Sequence, residues 1–434
     1  MIKRAVVALI VAVVGPGLFA HCAEAQQIVP TQQTSPSEQG AAQGNPGDPL
    51  RQAAEDGASA GENSLTLGTG LGFDSNIYNA PSRPYRDYYD LGYPQISPLI
   101  YSGKFLSAML NGAYVLPFNG GFHLDTKFKY EGRYYLAERY QNANVQMGKG
   151  HLGARLDLGK REGRPAGKFY LGGFAGRHRE NYVDNDTGMA TVLIDPVTLS
   201  SMSLSNRYNY TSQGAMLEYR QQFTAWDMQL MMETEVRDYE DPMIVSQYDH
   251  HSRTVIAALN CCSGATVEGG MHLRGIAQDY SDRPARDRQG NALNANARLS
   301  YRKRQGGFVM ALHPFRGLTV YTNVDREYTE DMFMNYNDSV RDVARFRIRW
   351  RPARGWLTRT VFRVWREDYP NAFAFDNPLK GPKRYNGTDF TFKLAREWKS
   401  LTLYALADFT DQNSTDLRYQ YQRWLWIGGG EWTF

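Results

Sequence analysis

Residues 423–434 read RWLWIGGGEWTF. Trp424, Trp426, Trp432 and Phe434 fall on alternate positions, and Arg423, Glu431 and Thr433 fall between them. A period of two is that of a β-strand with one apolar and one polar face. Chain ends of soluble domains are usually polar and frayed. The solvent that meets this greasy face therefore decides the fold.

The same grammar runs from Asn63 to Phe434. An alternating segment meets a short turn, a second alternating segment follows, and then a longer polar loop. In 226–236 (WDMQLMMETEV), Trp226, Met228, Leu230, Met232, Thr234 and Val236 share one face, against Asp227, Gln229, Glu233 and Glu235. In 122–135, Phe122, Leu124, Phe128, Tyr130 and Tyr134 lie opposite Asp125, Lys127, Lys129, Glu131 and Arg133. The short turns are FNGGF, KREGRPAGK, FTAW, CCSGA, HPFRGL, RPARGW and EWKSL. Among the longer loops are LAERYQNANVQ, DRPARDRQGNA and PNAFAFDNPLKGPK. Short turns at one end and long loops at the other are the asymmetry of an outer-membrane barrel. Seven turns join fourteen strands, and the first and last strands bring the count to about sixteen. Segments 94–118 and 291–314 are longer than one span needs, so each is expected to hide a bulge, a loop or a further hairpin.

Composition agrees. No stretch reaches about 18 consecutive apolar residues, the minimum for a helical span. The negative mean hydropathy suits a barrel as well as a soluble protein, because lipid-facing and lumen-facing residues cancel. Aromatics at 13%, with 28 Tyr and 41 Gly, favour interfacial girdles and tight turns over a soluble sandwich. A formal net charge of +4 gives no reason to expect a nucleic-acid partner.

Residues 1–25 begin with Lys3 and Arg4, run through AVVALIVAVVGPGLFA and reach Ala23-Glu24-Ala25, the pattern of a secretory signal peptide. Cys22 invites lipid attachment, but Phe19 and His21 stand where a branched aliphatic and a small residue are wanted. A mature start at Gln26 is expected. Residues 26–62, rich in Gln, Ser, Pro, Gly and Ala, read as a disordered periplasmic linker. Residues 63–434 are the barrel domain.

The barrel phase places charge. With Ala344, Phe346, Ile348 and Trp350 toward lipid, Arg341, Arg345, Arg347 and Arg349 face inward. With Thr360, Phe362 and Val364 toward lipid on the next strand, so do Arg359 and Arg363. An arginine facing lipid at midplane would cost about 2–4 kcal/mol, which fixes this phase. Glu233, Glu235, Asp325 and Glu327 make other parts of the wall acidic. This arrangement either sets a transverse field for anionic or hydroxyl-rich solutes or pairs up and stiffens the wall. The 185–205 loop, with Val192, Leu193, Ile194 and Leu199, either constricts the bore or packs on its rim. His250 and His251 read as solvated loop residues, and the adjacent Cys261 and Cys262 as small residues at a turn. No catalytic triad, metal site or cofactor motif stands out, so no enzyme is expected.

Two resemblances follow. The last strand, with Trp432 and Phe434 as its assembly signal, resembles bacterial outer-membrane β-barrel proteins, which implies lipid and the barrel-assembly machinery as partners. Gly72-Phe73-Asp74-Ser75-Asn76 resembles the barrel-start motif of exopolysaccharide-export barrels and of surface lipoprotein assembly modulators. On the residues alone, Asp74 and Asn76 form an Asx turn where strand becomes loop. The resemblance implies a polysaccharide-export barrel with a periplasmic export partner. The alternatives are a general or anion-selective porin and a non-conducting surface-binding barrel. The fold expected is a transmembrane antiparallel up-and-down β-barrel in the bacterial outer membrane, forming a passage for hydrophilic material.

Overall fold

In a computed structural model, residues 63–86, 95–161, 164–189, 192–194, 201–240, 248–261 and 266–434 are described. The expected signal peptide and linker lie outside them. The first strands are β1 (Ser64–Asp74), β2 (Gly103–Pro117), β3 (Phe122–Tyr135), β4 (Val145–Arg161) and β5 (Arg164–Glu180). A two-stranded hairpin follows, β6 (Val192–Ile194) with β7 (Ser201–Ser203). Then come β8 (Tyr210–Gln222), β9 (Trp226–Tyr239), β10 (His250–Cys261), β11 (Val267–Pro284) and β12 (Arg298–Phe315). The last six are β13 (Leu318–Asp331), β14 (Ser339–Trp350), β15 (Trp356–Phe373), β16 (Pro382–Trp398), β17 (Leu401–Ser414) and β18 (Tyr421–Thr433).

All but β6 and β7 join one closed antiparallel barrel of sixteen staves, in which β1 pairs with both β2 and β18. Closure satisfies every edge, which a sheet in hydrocarbon requires. The seven expected turns fall between β2 and β3, β4 and β5, and so on to β16 and β17, each two to five residues long. At the other end the connections run from six to twenty-nine residues. The long segments 94–118 and 291–314 each hold a stretch of loop and a single strand, β2 or β12. Cys261 closes β10 as a strand residue, and Cys262 lies outside the described residues.

The phase is as the alternation predicts. Leu71, Leu171, Met232, Leu273 and Phe308, from five strands, are all more than half exposed on the outer wall. Trp424, Trp426 and Trp432 of β18 and Phe434 just after it share that wall, with the rings of Trp432 and Phe434 stacked at 5.9 Å. Gly428 and Gly430 interrupt the bulky row on the same face. In the opposite phase of β9, Met231 and Glu235 are buried. A soluble fold has no place for so wide a band of exposed aliphatic and aromatic side chains. Facing hydrocarbon, the same band is the stabilising surface.

Candidate functional site: the barrel lumen

The register sets the inner wall residue by residue. Across β14 and β15, Arg345 lies directly opposite Arg363, and Arg349 directly opposite Arg359. On its other side Arg359 faces Lys393 of β16. Like charges directly opposite on adjacent strands are destabilising, so this patch violates a local rule of sheet pairing. Counter-charges and a ring stand against the patch. Arg363 Nε donates to Asp389 Oδ2 at 2.5 Å. The Arg347 guanidinium sits 4.6 Å from the centre of the Tyr321 ring, and Lys393 Nζ reaches Glu431 at 2.8 Å. Arg341 differs from the rest: Glu327 and Glu367 are its direct neighbours, and it stacks over Trp365 at 5.1 Å. The cationic patch is thus Arg345, Arg347, Arg349, Arg359 and Arg363, and Arg341 belongs to a mixed cluster above it.

The acidic residues are placed inward and largely engaged. Glu235 is buried and accepts from Arg237 at 3.0 Å, and Glu233 faces Thr254 and Met216 across its two neighbours. Asp325 pairs with the buried His272 at 2.9 Å. An apolar outer wall, a charged inner wall and full closure together decide the architecture. The fold is that of bacterial outer-membrane β-barrels.

Comparison with protein-family models and with curated proteins returns no match in either case. Among solved structures, the chain is similar to OmpT, an outer membrane protein of Vibrio cholerae, at 7% identity over 87% of this chain and 99% of that one, with a TM-score of 0.42. It is similar to an anion-selective porin from Comamonas acidovorans at 8% identity, over 86% and 98% of the two chains, TM-score 0.42. A bacterial polysaccharide outer membrane secretin matches at 10% identity over 86% and 99%, TM-score 0.41.

The loop end of this barrel is bridged. Tyr85, in the β1–β2 connection, donates from its hydroxyl to Asp186 Oδ2 at 2.5 Å. Its ring also packs against Phe375, with centroids 6.2 Å apart. Asp186 hangs from the β5–β8 connection and Phe375 from the β15–β16 connection, which lie eight staves apart in a ring of sixteen. The contacts of Tyr85 therefore join opposite sides of the mouth. The Tyr85–Ile96 bridge and the hydrogen bond from Leu99 N to Asp186 O at 2.8 Å extend the crossing. Burial pushes the Asp186 carboxyl up, and the neighbouring Asp184 adds to that push. Of the 185–205 loop, Asp186 belongs to this bridge, and Leu204 packs with Tyr182, Tyr208 and Tyr248 on the rim. Residues 190–191 and 195–200 lie outside the described residues.

Asp74 and Asn76 form the expected Asx turn, and more. Asp74 Oδ1 accepts from Asn76 N at 3.1 Å, and both carbonyl and amide of the Asn76 side chain bind the backbone of Ala80. The Asp74 carboxylate, fully buried, also receives Arg423 Nε at 2.9 Å and Tyr135 Oη at 2.5 Å, with Arg133 at 3.9 Å. It ties β1, β3 and β18 together across the seam where the barrel closes. Gly72 has its own reason: a Cβ there would sit 2.2 Å from the ring of Phe105, which is buried against it.

The histidine expectation is corrected. His250 and His251 open β10 and are not loop residues. His250 is buried on the inner wall with Nδ1 2.8 Å from Tyr248 O, and His251 lies 2.7 Å from the Thr234 hydroxyl on the outer wall. The short polar string YDHHSR hides the strand because it carries no apolar partner at period two.

Proposed function

We propose that the barrel is a gated passage for anionic glycans across the bacterial outer membrane, the barrel component of a polysaccharide-export system. The observation that carries this reading is the like-charged patch of Arg345, Arg347, Arg349, Arg359 and Arg363 on the inner wall. A sheet tolerates directly opposed cations where they serve something other than stability. Barrels of about sixteen strands leave room for an aqueous channel, and a one-sided cationic wall in a low-dielectric shell concentrates anions along it. Carboxylated sugars are anionic and hydroxyl-rich, and suit both the arginines and the amide and hydroxyl groups around them.

An anion-selective porin would use the same patch. The bridge across the mouth favours an exporter, because a constitutive porin has no need to join opposite rims through Tyr85. The Gly72–Asn76 motif supports the family side of this reading less than its sequence suggests, since each of Gly72, Asp74 and Asn76 has a packing or hydrogen-bonding task. The test is planar-bilayer conductance with and without an acidic polysaccharide such as alginate. An exporter shows rare openings that prefer anions and are blocked by alginate. Free conduction at all times, indifferent to alginate, belongs to the porin.

The bridge gives a separate expected result. Tyr85→Ala removes both the Asp186 hydrogen bond and the Phe375 contact, and the open fraction in bilayers should rise several-fold. Tyr85→Phe, which keeps the ring contact, should give an intermediate value. An unchanged open fraction in Tyr85→Ala would show that the crossing does not gate.

A further inference from the structure

Six rings stand on six successive staves at the loop end of the inner wall: His178, Tyr210, Tyr239, His250, Tyr280 and Tyr301. Neighbouring centroids are 5.1, 4.9, 6.1, 5.2 and 6.1 Å apart, so the rings form one continuous arc. Direct register pairs generate it: His178 with Tyr210, Tyr210 with Tyr239, and His250 with Tyr280. At about 4.8 Å per stave the arc runs about 24 Å along the wall.

Aromatic girdles of membrane barrels sit on the outer wall, where rings meet lipid headgroups. These rings are in the opposite phase, where no lipid reaches, so interfacial anchoring does not explain them. Mutual packing accounts for part of their presence. Tyr210, Tyr239, Tyr280 and Tyr301 nevertheless keep part of their surface accessible. Cations accompany the arc: the Arg237 guanidinium lies 5.1 Å from the Tyr210 ring centre and Lys303 Nζ 5.9 Å from that of Tyr301.

An aromatic face carries negative potential, and one face of a pyranose ring presents a set of slightly positive C–H bonds. Arg283 likewise lies over one face of the Tyr280 ring, 5.6 Å from its centre, and the tyrosine hydroxyls and these cations match sugar hydroxyls and carboxylates. We infer that this arc is a binding shelf for a pyranose chain at the inner side of the mouth, with sugar rings stacked on the Tyr280–Tyr301 end. The inference rests on the glycan passage proposed above and names the part of the lumen that holds the glycan. The arginine patch on β14 and β15 supplies charge selection, whereas the arc recognises the sugar ring itself, charged or neutral.

The test is calorimetric titration of the full-length, detergent-solubilised protein with maltohexaose and with hexagalacturonate, alongside bilayer conductance of the same preparation. Both oligosaccharides should bind. Tyr280→Leu/Tyr301→Leu should weaken both about tenfold, Tyr280→Phe/Tyr301→Phe should stay within about threefold of the parent, and anion preference should not change in either. The heat-modifiable gel shift of folded barrels confirms that the variants are assembled. Undetectable binding of both sugars by the parent, or equal affinities in parent and leucine variant, would overturn the shelf. Binding that needs the tyrosines in a barrel that never conducts would uphold the shelf and overturn the passage.

Discussion

Replacing Arg345, Arg347 and Arg349 together by alanine is expected to abolish anion preference in planar bilayers. Those three side chains supply most of the positive charge on the β14 wall, and two of them oppose Arg363 and Arg359 directly. Their removal leaves Asp389, Glu431, Glu327 and Glu367 nearby, with Arg363 and Lys393 already engaged by the first two. The local balance then turns from cationic to near neutral or acidic, so the ratio of chloride to potassium permeability should fall several-fold and reach or cross unity. Folding should not suffer, because the substitution relieves two like-charge oppositions. A modest gain in resistance to urea would fit. Retained anion preference with folded protein in the membrane would remove the arginine patch from the mechanism.

The second large effect concerns assembly. Asp74→Ala leaves Arg423 beside a buried hole at the seam and removes the acceptor of Tyr135 as well. Breaking one partner of a buried ion pair costs about 3–5 kcal/mol, a large share of what a domain has to spare. Asp74→Ala should therefore lower the urea midpoint of the lipid-reconstituted barrel sharply and raise the unfolded fraction on unheated gels. Asp74→Asn keeps the Asx turn and part of the Tyr135 hydrogen bond, and should lose less. Asp74→Leu/Arg423→Met removes both charges and should recover much of the loss, because a pair of apolar residues often replaces a buried ion pair at little cost. If Asp74→Ala unfolds at the parent's midpoint, the seam does not depend on this carboxylate.

Much of this molecule was readable in advance, for one physical reason. A period of two is local, so a few residues suffice to set the phase of a strand, and the phase of β14 and β15 placed Arg345, Arg347, Arg349, Arg359 and Arg363 on the inner wall. Turn chemistry is local too, which is why FNGGF and RPARGW marked their turns. What a single strand cannot show is its neighbour. Asp74 and Arg423 are 349 positions apart in the chain and meet only because the barrel closes. Arg341 looked equivalent to Arg345 until the register set Glu327 and Glu367 beside it. The aromatic arc contributes one ring per strand, so no segment signals it. Tyr85 lies in a connection without periodicity, and its contacts depend on loops carried by opposite sides of the ring. His250 and His251 read as loop residues because a strand starting with two histidines and a serine carries no hydrophobic rhythm.

A membrane-spanning barrel requires its two walls to meet different media. Site-directed spin labels placed in turn at positions 345–349 of β14, in a chain of residues 26–434 with Cys261 and Cys262 replaced by serine and reconstituted in lipid, read this directly. Labels at 346 and 348 should respond to oxygen dissolved in the bilayer, and labels at 345, 347 and 349 to a water-soluble nickel reagent, in strict alternation. Uniform access of the nickel reagent at all five positions would mean that water bathes both walls, and a membrane-spanning barrel could not survive that result.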